Sequence, residues 1–236
     1  DQKVLAREEL INLLKENAFT KPVFIRVNDA MEAIGREDID AISPYQDQIE
    51  AIILPKTQSF DFLATLAPMI DFSNKLVPLI ETPRAIDTVT QIAAFKDVVG
   101  LFFGAADSSA SLGCKLAWEP LLYARQKVVL AAAMYNLFTI DAPFFYIDDK
   151  EGLKKEAEAV KNLGFTGKAA IHPDQIDFIN ESFAPTSEEI AEGKKVLEEY
   201  QKSGGGAVKI DGQMVDEPIA EAMRLKISLG EEESED

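Results

Sequence analysis

The sequence is poor in the residues that most often announce chemistry. Its 236 residues include one cysteine, Cys114, and one histidine, His172. A lone cysteine excludes an internal disulfide and any Cys-rich zinc or iron–sulfur site. A lone histidine excludes a paired-imidazole zinc site and multi-His iron. Any metal must then be held mainly by oxygen, which points to magnesium or manganese. Basic residues are also scarce: 24 Lys and Arg stand against 41 Asp and Glu, a formal net charge of −17. Nucleic-acid affinity rests on Lys and Arg against phosphate, so a nucleic-acid partner is disfavoured, and an anionic lipid surface with it. No apolar run approaches the ~20 residues of a membrane span, and no signal peptide is visible. The expectation is a cytoplasmic protein that acts on a small molecule.

What is present has the alternation of an α/β fold. Six apolar runs recur, at residues 23–28, 51–56, 76–81, 98–104, 137–141 and 168–172. Most are continuous rather than alternating, as in parallel strands covered on both faces. Helical patterns fill the gaps, notably over 84–96, 120–134 and 151–163, the last stopped by Gly164. After His172 the text changes to helices over 174–180 and 187–201 and a glycine run at 204–206. A hairpin follows over 207–215, turning at Asp211-Gly212, and then a final helix over 218–227. Six units do not close a (β/α)₈ barrel. Either the sheet is open and doubly wound, or two units precede the first one seen. Residues 3–15 already read as a helix with no strand before them, which favours a (β/α)₈ TIM barrel lacking its first two strand units. The organisation expected is a barrel portion over 1–182, a helical and hairpin extension over 183–230, and an acidic disordered tail over 231–236.

The polar residues that end the apolar runs carry the functional argument. They are Arg26 and Asn28, Lys56, Glu81, Asp107, Asp141 and His172. Parallel-sheet proteins place their active sites at the carboxyl ends of the strands. Singly, Arg26 could form a surface ion pair, Lys56 could snorkel and Asp141 could cap a loop; together they suggest one site. Glu81 and Asp107 form a candidate metal pair, since two carboxylates can hold one hard cation and leave positions for water and substrate oxygens. The alternative is two unrelated loop acids. The small residues of Gly104-Ala105-Ala106-Asp107 would let substrate approach the backbone. Lys56 could be a Schiff-base lysine if desolvated, although its neighbours favour a charged, anion-binding role. His172 reads as a hydrogen-bonded structural residue rather than a base. Neither Gly104–Gly113 nor 164–168 has the spacing of a phosphate-binding loop.

At these residues the sequence resembles the citrate lyase β-subunit family, which also contains malyl-CoA and citramalyl-CoA lyases. The matching segments are Ile25-Arg26-Val27-Asn28, Leu54-Pro55-Lys56-Thr57, Leu79-Ile80-Glu81-Thr82-Pro83 and Phe103-Gly104-Ala105-Ala106-Asp107. Leu163 to Lys168, Ile171-His172-Pro173-Asp174-Gln175-Ile176 and Asp211 to Asp216 extend the match in order. The resemblance implies a (β/α)₈ barrel, a Mg²⁺ cofactor on Glu81 and Asp107, and Arg26 gripping a substrate carboxylate, with Asn28 and Lys56 beside it. It implies a catalytic Asp216 that reaches a neighbouring protomer's site in a closed homo-oligomer, a trimer; the competing reading is a helix N-cap ahead of Pro218. Two departures stand out. The family's acidic Leu-Glu-Asp-Ala-Val-like segment would precede Asp1, and Ala106 replaces an acid that some members carry. The implied reaction is Mg-dependent cleavage of a 3-hydroxy-acyl-CoA thioester, of malyl, citramalyl or citryl type, to a 2-keto acid and acetyl-CoA. A Schiff-base aldolase using Lys56 and a non-catalytic acyl-CoA-binding subunit are the alternatives.

Overall fold

The computed structural model describes residues 2–70, 72, 75–204, 206–210 and 212–232. Six strands form one parallel sheet in sequential order. They are β1 (Phe24–Arg26), β2 (Ala51–Leu54), β3 (Leu76–Ile80), β4 (Gly100–Phe103), β5 (Phe138–Asp141) and β6 (Gly167–Lys168). Helices α1 (Gln2–Lys15), α2 (Ala33–Ile42), α3 (Phe60–Leu66), α4 (Pro83–Asp87), α5 (Val89–Ala93), α6 (Ala105–Leu112), α7 (Trp118–Met134), α8 (Lys150–Leu163) and α9 (Ile176–Phe183) occupy the intervals and flanks. Ile52, Leu54, Leu76, Ile80, Leu101 and Phe103 pack into the main core with residues of these helices. The opposite residues of the strands, Ala51, Ile53, Val77 and Leu79, form a separate inner cluster with Phe102 and Phe138.

That inner cluster shows that the sheet curls. Strands in a flat sheet stand about 4.8 Å apart, so β1 and β5 would be about 19 Å apart. Yet the rings of Phe24 on β1 and Phe138 on β5 meet edge to face at 5.7 Å between centroids. The inner face has folded toward itself. Gly100 makes room for this, because a Cβ there would lie 2.2 Å from the Phe138 ring. The result is an α/β fold with a six-stranded parallel half-barrel.

Several local expectations need correction. The helix read over 84–96 is two short helices, broken at Thr88 (φ −99°, ψ 14°), whose hydroxyl donates to the Arg84 carbonyl at 2.9 Å. Residues 105–112, which lack apolar periodicity, form α6. Gly164 does end α8 in the left-handed conformation. The last apolar run gives only two strand residues, and His172 lies beyond them, its Nδ1 accepting the Asp174 amide at 3.2 Å. Beyond α9, helix α10 (Ser187–Lys202), strands β7 (Val208–Ile210) and β8 (Gln213–Val215), and helix α11 (Glu217–Glu232) gather a second core of Val196, Tyr200, Ile210, Val215 and Ala220. Asp211, at the hairpin turn, lies outside the described residues, as do 233–236 of the acidic tail. Helix α11 runs to Glu232, so the helical text continues into the segment read as tail. Among the described residues no helix is long and apolar enough to cross a membrane.

One strand-end acid proves to be a core residue. Successive residues of a strand point to opposite faces, and Asp141 shares the helix-facing side with Thr139. There it is fully buried and bonds Arg125 of α7 (Nε to Oδ1, 2.8 Å) and Lys168 of β6 (Nζ to Oδ2, 2.8 Å). Lys168 also reaches Glu156 of α8 at 2.7 Å. The Arg125 guanidinium lies over the rings of Phe103 and Trp118, 5.2 and 4.8 Å from their centroids. Asp141→Asn would leave the buried Arg125 without its carboxylate and Lys168 with Glu156 alone, and removing one member of such a network costs about 3–5 kcal/mol. Denaturant titration is expected to show that loss, while Lys202→Ala at the exposed Lys202–Glu198 pair leaves the midpoint unchanged.

Candidate functional site

Glu81 directly follows β3 and continues the inner parity of Val77 and Leu79, so its side chain turns to the concave face of the half-barrel. It is only 5% exposed. The Lys56 amide, at the turn after β2, donates to its Oε1 at 2.7 Å. Gly104, after β4, lies against its other flank: a Cβ there would sit 2.6 Å from the Glu81 Cβ and 3.1 Å from Oε2. The small residue expected to admit substrate thus admits Glu81.

Asp107 is not on the strand but in the first turn of α6, exposed, with its carboxyl group against that of Glu81. Burial pushes the Glu81 carboxyl up to about 7; the Lys56 amide opposes this, the Asp107 charge and hydrogen bond reinforce it, and the positive charge of Arg26 lowers it. Two facing carboxylates, one buried, repel each other unless a proton or a cation intervenes. The donor set fits a hard divalent cation: two carboxylate ligands, with remaining positions open to water and substrate on the exposed Asp107 side. Among the described residues no group of three or more His, Cys, Asp or Glu side chains is arranged to hold a metal. The pair alone is the candidate.

Arg26, the last residue of β1, has the same inner parity, is exposed, and acts on Glu81 through its charge. Lys56 completes the group from β2. Its side chain is 60% exposed, with Nζ 3.7 Å from Asp29 Oδ2. Desolvation is what makes a lysine a Schiff-base nucleophile, and Lys56 lacks it. Asn28 turns away: its amide side chain donates to Asp38 Oδ2 at 2.6 Å, its backbone N–H donates to the same oxygen at 2.9 Å, and Arg7 holds Oδ1 at 2.7 Å. Asp216 belongs to the C-terminal unit, where its Oδ1 accepts the Ile219 amide at 3.4 Å at the start of α11. The chain therefore brings together Arg26, Lys56, Glu81 and Asp107, and places Asn28, Asp141 and Asp216 elsewhere. Arg125 was not singled out from the sequence, although the apolar stripe Leu121, Val128 and Ala132 at helical spacing includes it.

Residues 1–173 match the HpcH/HpaI aldolase/citrate lyase family. The chain belongs to that family. It is a carbon–carbon lyase by that membership. The citrate lyase subunit beta of Haemophilus influenzae is 29% identical, over 95% of this chain and 84% of the relative. The human mitochondrial citramalyl-CoA lyase is 30% identical, over 87% and 67%. Among solved structures, RipC from Yersinia pestis superimposes with a TM-score of 0.69 at 39% identity, covering 79% of this chain and 84% of that one. CitE from Mycobacterium tuberculosis, in complex with magnesium, acetoacetate and coenzyme A, gives a TM-score of 0.76 at 29% identity, covering 88% and 78%.

The crowding at Gly104 makes a direct prediction. Gly104→Ala should push Glu81 away from Asp107 and weaken divalent-cation affinity by about tenfold or more, the usual cost of disturbing a ligand's support. Calorimetric titration with Mg²⁺, alongside a circular dichroism spectrum matching the wild type, checks it.

Proposed function

We propose that the protein cleaves a 3-hydroxy-acyl-CoA thioester of malyl, citramalyl or citryl type to a 2-keto acid and acetyl-CoA, with Mg²⁺ held by Glu81 and Asp107. The observation that carries this reading is the Glu81–Asp107 carboxyl pair with Arg26 alongside. The named relatives, a citrate lyase subunit and a citramalyl-CoA lyase, support it, and so does the magnesium and coenzyme A complex of the M. tuberculosis protein.

When bound, the cation supplies a template and a Lewis acid for the developing keto oxygen. The chain's own residues do the rest. The Arg26 guanidinium offers a planar fork that matches a substrate carboxylate, and the exposed Lys56 ammonium adds a second cation at the same rim. These two fix the carboxylate end so that the hydroxyl-bearing carbon faces the carboxyl pair. A base takes the hydroxyl proton, the bond to the neighbouring carbon breaks, the keto acid leaves, and the thioester enolate is protonated. Asp216 is the proposed catalytic acid–base group, provided by a neighbouring protomer of a homotrimer. Two further strand units, with an acidic residue of their own, would complete the eight-stranded barrel.

Incubation with malyl-, citramalyl- and citryl-CoA and Mg²⁺ should release a keto acid from one of the three, and chelation should stop release until Mg²⁺ is restored. Full activity under chelation would reject the metal reading. The raised Glu81 carboxyl adds a pH dependence. Below about 7 a proton competes with the cation, so Mg²⁺ affinity should rise by up to about tenfold per pH unit and level off above it. In metal-free protein the sign for stability is the reverse. The folded state holds that proton more tightly than the unfolded chain, so stability falls as pH climbs from about 4.5 to about 7.

The shared site has its own test. Glu81→Gln and Asp216→Asn, each nearly inactive, are unfolded and refolded together. Sites built across protomers regain a fraction of wild-type activity, because some pair an intact Glu81 with an intact Asp216. No recovery in mixed oligomers verified by mass would mean that Asp216 serves its own chain or only caps α11.

A further inference from the structure

The turn that holds Glu81 adopts a conformation unsuited to its residue type. Among the described residues, three non-glycine residues have positive φ: Asn17, Lys56 and Asn136. Asparagine tolerates the left-handed region because its short amide bonds locally; lysine has no such compensation. A residue in that state persists where its surroundings over-determine it, and such residues gather at functional sites. Lys56 has φ 55°.

Its surroundings supply the reason. Thr57, fully buried, donates its hydroxyl back to the Leu54 carbonyl at 3.0 Å, which closes the turn after β2. The closed turn aims the Lys56 amide across to β3, where it meets Glu81 Oε1 at 2.7 Å. Gly104 blocks the opposite flank by its proximity, its hypothetical Cβ falling 3.1 Å from Oε2. The carboxylate is thus fixed by one oxygen from β2 and confined from β4, and among the described residues no main-chain donor is bonded to Oε2. The Lys56 ammonium takes no part in this, since it extends toward Asp29 and solvent.

We propose that Lys56 is a positioning residue of the metal site through its main-chain amide: the left-handed turn after β2 fixes Glu81 by Oε1, so that Oε2 alone is presented to a divalent cation. This rests on the reading of Glu81 and Asp107 as cation ligands. It is separate from any contact of the ammonium with substrate, and the two are separable by substitution.

The test compares three variants that all lose the ammonium. Lys56→Gly and Lys56→Asn keep a residue that accepts positive φ; Lys56→Val is β-branched and resists it. Mn²⁺, used as a paramagnetic stand-in for Mg²⁺, is titrated into each full-length protein. Gly and Asn variants should bind with about wild-type affinity, and the Val variant about tenfold or more weakly. Thr57→Val, which keeps Lys56 and its charge but removes the hydroxyl that closes the turn, should show the same loss and serves if Lys56→Val does not fold. In metal-free protein the residue 56 amide should be protected from hydrogen exchange, and Glu81→Ala should remove that protection. Equal affinity in all three Lys56 variants overturns the proposal, whether they match wild type or fall together. So does an unprotected amide in the metal-free wild type. A wild type that binds no Mn²⁺ while the amide stays protected overturns the cation reading, and reduces the turn to a structural contact.

Discussion

The arrangement turns on the difficulty of burying a carboxyl group beside another one. Glu81 sits among apolar strand residues with Asp107 against it, and burial is the largest of the effects that drive it toward its neutral form. A protein that used Glu81 only for packing would fare better with an apolar residue there. The site instead supplies a hydrogen bond to one oxygen, a glycine where any side chain would collide, and a helix whose first turn delivers the second acid. Each of these holds the carboxyl group in a position that its own solvation opposes. A divalent cation on the proposed pair would remove the conflict by satisfying both acids.

The other buried acid of the sheet resolves the same difficulty in the opposite way. Asp141 receives Arg125 and Lys168 within 2.8 Å and is neutralised by the fold itself. Nothing is left for a ligand. The network joins the ends of β5 and β6 to α7 and α8, and the Arg125 guanidinium rests on Phe103, the residue before Gly104. The charges that the protein satisfies internally thus brace the strand end next to the charges that it leaves open.

This contrast explains how much was legible in the sequence. The six strands were readable because continuous apolar runs survive without tertiary information, and Gly164 announced the end of α8. Continuity hid the parity, however. Phe138 to Asp141 does alternate, but the polar Thr139 and Asp141 take the buried, helix-facing side, against the usual polar-out rule, so the pattern gives no sign that Asp141 points away from Glu81. Asn28 illustrates a related limit: the strand ends at Arg26, and after it the chain direction is set by Asp38, distant in sequence and brought near by α2. Helix α6 carries Ala and Ser where an apolar stripe would mark it, so it was invisible although it holds Asp107. The break at Thr88 depends on a hydroxyl bond within one turn, which helical periodicity does not register. Strand-end placement offered Glu81 and Asp107 as a candidate pair against a background of 41 acids, and the family resemblance points to the same two.

The half-barrel also bears on why a second chain is attractive as part of the site. The inner face draws Phe24 and Phe138 together where β1 and β5 begin, at the end away from the site, while Arg26, Lys56 and Asp107 remain exposed around Glu81. The proposed cleavage passes through an enolate, which a closed site would shield from side reactions with water, and an exposed rim does not close it. The C-terminal unit has a core of its own in Val196, Tyr200, Ile210, Val215 and Ala220, distinct from that of the sheet. A unit of that kind is suited to act as a lid on another protomer, and the helix start that fixes Asp216 would keep its carboxylate rigid while it does so. Capping α11 and serving a neighbour's site are then compatible: the hydrogen bond to Ile219 occupies Oδ1 and leaves Oδ2 for a proton.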